Sequence, residues 1–456
     1  MHRNNFLLIY MDDMTHWALR SHKIKTPNLD KLRRKGITFT HAFNQGAMTG
    51  AVCLPARQML TSGLSLLRAQ HDYLSVPHLG ETFWQNGYET FFTGKWHNEE
   101  EALNRSYSKI GKVFFGGMLH STEVGGAAYF RPKPNDSWEP SNQLLEGHWI
   151  KRGDGSFIHS SQYWADSLIE YLRNHSETLP FFAHIAFNAP HDPRQSPSEY
   201  LDLYSNEDIE IPPNAASAHP FDNGEIRNRD ENLGNFPRTE DTVRLHRMEY
   251  FAIISHVDSE IGRILETLTE LGKDKNTYII FTGDHGLALG EHGLLGKQSL
   301  YDHSTRVPLV ISGPDIQENI CVDHQVYSGS IFATLLELSS LPIPSHIFFE
   351  SLVPKFCDSG NARDNLIFGV YKNLQRSVRS KKYKLIIYPE LKYAQFFDLE
   401  NDPWEITNLF YLNQYKNIAN EFFKQMQILQ LNFSDELVLP DFLSLEPAPR
   451  LVPFFR

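Results

Sequence analysis

Three short apolar runs in this chain each end in a polar, chemically loaded turn, and that repetition constrains the fold more than any other feature. Phe6-Leu7-Leu8-Ile9-Tyr10 leads to Asp12-Asp13, the run Phe181 to Phe187 leads to His191-Asp192, and the run Thr277 to Phe281 leads to Asp284-His285. Runs of this length bounded by Gly, Pro, Asn and Asp read as buried strands. Helical segments lie between them. Thr26-Pro27-Asn28-Leu29-Asp30-Lys31-Leu32 offers a Thr cap and a Pro in the first turn. From about Arg244 to Leu271, Tyr250, Ile253, Ile254, Val257, Ile261 and Leu265 recur at helical spacing. Strands alternating with helices predict an α/β fold with a large, mostly parallel central sheet flanked by helices. Ligands of such sheets bind beyond the carboxyl ends of the strands, where the polar turns fall.

Near residue 345 the pattern changes. Lys382 to Tyr388 and Ala394 to Leu399 read as paired strands, and about Asn417 to Leu431 as a helix. The expected organisation is a catalytic domain over 1–345 and a smaller C-terminal α+β domain, with a short antiparallel sheet, over 346–456. Residues 121–160 and 206–240, rich in Gly, Pro, Asn and Asp, read as long loops placed to wall a cleft. The net charge of -12 argues against a nucleic-acid partner, because counterion release needs clustered Lys and Arg. No run approaches the ~20 apolar residues of a membrane span. Three cysteines, Cys53, Cys321 and Cys357, give no disulfide framework. The first apolar run is too short for a secretory signal. The sequence as it stands therefore reads as cytoplasmic, or as periplasmic or secreted if a leader was removed.

Asp12-Asp13 places two carboxylates side by side, which requires a compensating cation or strong hydrogen bonding. Asp284-His285 lies between Gly283 and Gly286. The two pairs together offer mostly oxygen, which suits calcium, although His285 more often accompanies zinc or another transition metal. Ligand chemistry alone leaves the metal open. In Cys53-Leu54-Pro55-Ala56-Arg57 the cysteine stands near a predicted helix start and an arginine, both of which favour a negative centre. In Gly87 through His97, alternation along an extended segment would put Lys95 and His97 on one face, a cation beside a titratable base. Each feature alone has an ordinary reading: a solvated turn, a small buried thiol, a surface Lys beside a packed His.

Together these segments resemble the type I sulfatases of the alkaline phosphatase superfamily. Cys53-Leu54-Pro55-Ala56-Arg57 fits that family's Cys-x-Pro-x-Arg element, and Gly87 to His97 fits its second signature. The resemblance implies that Cys53 is oxidised to formylglycine (3-oxoalanine) by a maturation enzyme, and that its hydrate attacks sulfur. It implies a calcium site of Asp12, Asp13, Asp284, His285 and the modified Cys53. It further implies that Arg57 holds the hydrate, that Lys95 and Lys297 hold sulfate oxygens, that His97 deprotonates the sulfated hydrate, and that His191 meets the leaving oxygen. Ala56 replaces the family's frequent Ser, and His285 stands where many relatives have Asn. Segments such as His191-Asp192-Pro193-Arg194 look like those of bacterial enzymes acting on sulfated sugars. The expected substrate is thus a glycosaminoglycan or algal polysaccharide fragment, with His148, Arg194, His303 and Arg306 as candidates for meeting a neighbouring sugar. The rival readings are a phosphonate monoester or phosphodiester hydrolase with the same element, a sugar-binding protein with a dead site, and a cysteine hydrolase using the thiolate.

Overall fold

A computed structural model describes residues 3–117, 139–144, 147–176, 178–356 and 365–455. Its strands in chain order are β1 (Asn5–Met11), β2 (Gly36–Phe43), β3 (Gly46–Ala47), β4 (Glu89–Lys95), β5 (Lys109–Phe114), β6 (Trp149–Lys151), β7 (Phe157–His159) and β8 (Phe181–Phe187). There follow β9 (Thr277–Gly283), β10 (Arg306–Ser312), β11 (Ile320–Tyr327), β12 (Ile367–Tyr371), β13 (Gln375–Arg379), β14 (Tyr383–Tyr388), β15 (Tyr393–Asp398) and β16 (Glu446–Pro447). The central sheet has the order β11-β2-β10-β9-β1-β8-β4-β5, and within it β10 alone runs against the others. This is the α/β architecture expected from the alternating pattern.

Every residue of β1, β8 and β9 is buried, as parallel strands covered on both faces must be. Alternation sorts their side chains. Leu7, Ile9 and Met11 enter the core under the helices Ser160–Asn174 and Glu240–Glu270, and Phe6, Leu8 and Tyr10 enter the core on the opposite face. The helix Pro27–Arg34 follows Thr26 as expected, but the Thr26 side chain makes no cap bond. The carboxylate of Asp258, on the helix Glu240–Glu270, takes that place by accepting Asn28 N at 3.1 Å and Leu29 N at 2.7 Å.

The second sheet runs β16-β15-β14-β13-β12-β3, and its core closes over the helix Lys416–Asn432. It recruits β3, far upstream in the chain, by parallel pairing of Gly46–Ala47 with Val370–Tyr371. A division of the chain at 345 therefore separates β3 from the sheet it joins. Part of the 121–160 segment expected as loop, 118–138 and 145–146, lies outside the described residues, as does Cys357. The remainder contains the β6–β7 hairpin rather than loop alone, while 206–240 holds turns and short 3-10 helices. Among the described residues no helix is long and apolar enough to cross a membrane.

A buried charge network joins the two sheets. Asp302 receives Arg379 through two bonds, 3.1 and 3.0 Å, and Lys384 at 3.0 Å, while Lys384 also meets Glu405 at 2.7 Å. Asp302→Ala leaves Arg379 without its carboxylate and Lys384 with Glu405 alone, and breaking such a buried network by removing one partner costs about 3–5 kcal/mol. The expected result is a clear fall in the denaturation midpoint, read by urea titration; an unchanged midpoint would mean that the network is solvated.

Candidate active site

The four adjacent parallel strands β9-β1-β8-β4 end almost level. Met11 pairs with both Gly283 and Phe187, and Gly94 pairs with Ala186. The residues that follow these ends therefore lie at one side of the sheet: Asp12 and Asp13 after β1, Asp284 and His285 after β9, His191 beyond β8, and Lys95 and His97 at the end of β4. The cluster is completed by the helix Cys53–Ser62, whose first residue is Cys53 and whose other nine residues are buried apart from Leu54. The amino end of a helix carries partial positive charge, which suits a negative centre at Cys53.

Asp12, Cys53, Asp284 and His285, all buried, bring their ligand atoms within 4.8 Å of one another. On three of these side chains one atom has no hydrogen-bond partner among the described residues: Asp12 Oδ1, Asp284 Oδ2 and His285 Nε2. His285 Nδ1 lies 2.8 Å from the Gly286 carbonyl, which can only accept, so Nδ1 carries a proton, and in the neutral ring Nε2 presents a lone pair. That lone pair faces Asp13 Oδ1 at 3.3 Å and Asp284 Oδ1 at 3.7 Å. A lone pair turned toward carboxylates is an arrangement that a cation between them relieves. Oxygen-rich donors with one imidazole fit a divalent metal ion, so the residues present suit the group that the motif implies.

Asp13 adopts φ 65°, uncommon for a non-glycine residue. Its carbonyl accepts the Tyr250 hydroxyl at 2.8 Å, and that hydroxyl in turn accepts Thr15 N at 2.9 Å. Asp13 N donates to Asp284 Oδ1 at 3.0 Å. The turn is thus held from three sides, and its carboxylate receives Lys297 Nζ at 2.7 and 3.0 Å. Lys95 Nζ donates to Asp12 Oδ2 and lies 3.8 Å from Cys53 Sγ. Arg57 donates to the Lys95 carbonyl at 2.5 Å and lies 3.5 Å from Asp12 and 3.6 Å from Asp284.

These charges separate the two central carboxylates. Burial pushes Asp12 up, but Lys95 and Arg57 outweigh it and hold the group well below the usual carboxylate range. Asp284 moves the other way, raised well above that range by burial and by the charge of Asp12. Burial raises the Cys53 thiol, yet Lys95, with help from His285 and Lys297, brings it below the ordinary thiol range. His97 is lowered to about 3 by burial, Lys95 and Arg57, and His191 is lowered well below its usual value by burial, Lys297 and Lys95. Both imidazoles are neutral at pH 7.

His97 reaches the site by a route that alternation does not describe. β4 stops at Lys95, and His97 turns back with φ 56°, which brings Nδ1 to 3.2 Å from Cys53 Sγ. Lys95 and His97 therefore converge through a turn rather than along one face of a strand. The four residues considered for sugar contact have partners inside the protein. His148 is buried, bonding Ser160 at 2.7 Å and the His191 carbonyl at 3.0 Å, so it supports His191. Arg194 pairs with Asp192 at 3.1 Å and His246 at 2.7 Å, beside the Tyr250 ring. His303 bonds Ser299 at 3.1 Å, and Arg306 donates to the Thr40 carbonyl at 2.8 Å. Tyr250 reads from the sequence only as helix core, and Asp230, which lies 4.0 Å from Lys297 Nζ, has no motif around it.

Solved structures share this fold. A phosphonate monoester hydrolase of Agrobacterium radiobacter superposes with a TM-score of 0.75 at 21% identity, covering 96% of this chain and 97% of that one. A protein solved with its substrate D-glucosamine-2-N,6-O-disulfate gives 0.73 at 19% identity, covering 95% and 99%. The Sulfatase family model matches residues 4–341, and the chain belongs to that family. A second model, N-sulphoglucosamine sulphohydrolase, C-terminal, matches 290–432. An arylsulfatase of Clostridium perfringens is 27% identical over 95% of both chains. An ulvan-active sulfatase of Formosa agariphila is 27% identical over 92% of this chain and 79% of its own.

Proposed function

We propose that this sulfatase hydrolyses the ester sulfate of a sulfated carbohydrate, with calcium and a formylglycine made from Cys53. The observation that carries the reading is the convergence of three buried atoms that lack a hydrogen bond among the described residues, on Asp12, Asp284 and His285, beside Cys53 and inside a frame of Lys95, Arg57 and Lys297. Asp12, Asp13, Asp284 and His285 would hold the cation, which supplies charge neutralisation at the sulfate. The formylglycine hydrate supplies a nucleophilic oxygen at the Cys53 position.

This chain's own residues do the rest. Lys95 and Lys297 neutralise the sulfate oxygens in a site almost closed to water, where each charge counts for more than in solvent. Arg57, fixed by the Lys95 carbonyl and the Tyr10 ring, keeps the first turn of the helix Cys53–Ser62 against the carboxylates. His97, neutral and half-buried with Nδ1 at Cys53 Sγ, accepts a proton from a group at that position. His191 Nδ1 donates to the Asp192 carbonyl at 2.8 Å, which leaves Nε2 facing the reacting centre, where it must first take up a proton before it can pass that proton to the leaving oxygen.

The carbohydrate assignment is supported by the relatives' substrates, namely ulvan and a glucosamine disulfate. A phosphonate monoesterase is the competing activity, since that fold neighbour is equally similar. Matched aryl sulfate and phosphonate monoesters, followed by a panel of defined sulfated oligosaccharides, decide between them. The expected result is a kcat/KM at least about tenfold higher for sulfate, a difference of about 1.4 kcal/mol in transition-state binding, with release of sulfate from the oligosaccharides. A phosphonate preference sinks the reading.

A further inference from the structure

We propose that Glu231 is the positioning residue for Lys297, fixing the backbone from which that lysine reaches the sulfate. The inference rests on the reading of Lys297 as a sulfate-binding group. Lys297 stands in the segment 284–301, which contains no strand or helix to set its course. Its two preceding amides are held by one side chain: Glu231 Oε2 accepts Leu295 N at 2.9 Å, and Oε1 accepts Gly296 N at 2.8 Å. A carboxylate that takes two consecutive N–H groups fixes both the position and the tilt of that peptide. On the other side of the segment, the Gly296 carbonyl accepts Ala288 N at 2.8 Å.

Glu231 is itself locked. Arg238 donates to Oε2 at 2.7 Å and to the Glu231 carbonyl at 2.9 Å, its Nε reaches the Gly293 carbonyl at 3.4 Å, and its guanidinium lies 3.8 Å from the Phe236 ring centre. Both Glu231 and Arg238 are buried. The neighbouring Asp230 grips the residue after the lysine, taking Gln298 Nε2 at 3.0 Å, while Gln298 also reaches the Gly50 carbonyl at 3.1 Å. The approach is so close that a Cβ on Gly296 would stand 2.8 Å from Glu231 Oε1 and 2.5 Å from Gln298 Oε1. Segment 230–238 thus braces the chain on both sides of Lys297 without touching the reacting atoms. Small displacements of a charge-binding group are expensive in catalysis, so the brace has a kinetic signature.

The test is a double-mutant cycle on the full-length, matured enzyme with an aryl sulfate, with inorganic sulfate as competitive inhibitor. Glu231→Gln keeps the size but turns an NH2 group toward donors. It is expected to lower kcat/KM by roughly ten- to a hundredfold and to weaken sulfate inhibition. Stabilisation by calcium should persist, because the metal ligands are untouched. In the Lys297→Ala background, Glu231→Gln should cost almost nothing further, since a brace has no effect once its lysine is gone. Gly296→Ala, which pushes the same contact apart, should behave alike and serves if Glu231→Gln does not fold. Losses that simply add in the double variant overturn the inference and leave the sulfate-binding role of Lys297 standing. An unchanged Lys297→Ala enzyme instead overturns that role, and the inference with it.

Discussion

Cys53→Ala is expected to lower kcat for any sulfate ester by about 10⁴-fold or more, because it removes the group from which the nucleophile is made. The remainder of the site should survive. Cys53 is buried and its side chain is small, so the exchange leaves only a minor cavity, worth about 1 kcal/mol. Lys95, Lys297 and Arg57 draw their positions from Asp12, Asp13 and the Lys95 carbonyl, not from the sulfur. Inorganic sulfate should therefore still bind the inactive variant with nearly its original affinity. In protein made by a host competent for the modification, the peptide spanning Cys53 to Arg57 should weigh less than its thiol form, since oxidation exchanges sulfur and two hydrogens for one oxygen. A variant that keeps its rate, or an active wild-type protein carrying only cysteine there, removes the proposed nucleophile.

Cys53 could be singled out from the sequence because the motif around it is local, only five residues long. The strand ends were legible for a similar reason. β1, β8 and β9 are continuous apolar runs because both faces are covered, and polar residues mark where that cover stops. What periodicity does not contain is the lateral order β9-β1-β8-β4, and that order makes neighbours of Asp12, Asp284, His191 and Lys95. Contacts made across the sequence were invisible for the same reason. Asp258 caps a helix about 230 residues upstream, Tyr250 steadies Asp13, and β3 is drawn into the second sheet. His97 shows how local rules mislead. Alternation predicts that it follows Lys95 on one face, but the strand ends and a left-handed residue turns the imidazole back to Cys53. Burial could not be read from residue type either. His148 and Arg194 look like surface recognition groups, yet both are enclosed by partners.

Removing the divalent cation should lower activity by about 10³-fold or more, and calcium should restore it better than zinc. The reason lies in the site's electrostatics. Asp284 is raised well above the carboxylate range by burial and by Asp12, so without a cation the folded protein retains a proton there that the unfolded chain releases. The stability tied to that proton is complete below the ordinary carboxylate pKa and is lost as pH rises toward the raised value. A cation takes the proton's place, so calcium should stabilise the protein more at higher pH. At calcium a hundredfold above its dissociation constant the gain is about 2.7 kcal/mol, readable as a rise in Tm. Asp284→Asn separates this cause from generic ion effects. It removes the repulsion with Asp12, so the metal-free variant should be at least as stable as the metal-free parent. It also removes a ligand, so it should lose both activity and the pH-dependent response to calcium. If Asp284→Asn destabilises the metal-free protein, or responds to calcium as the parent does, then Asp12, Asp284 and His285 are not held together for a cation.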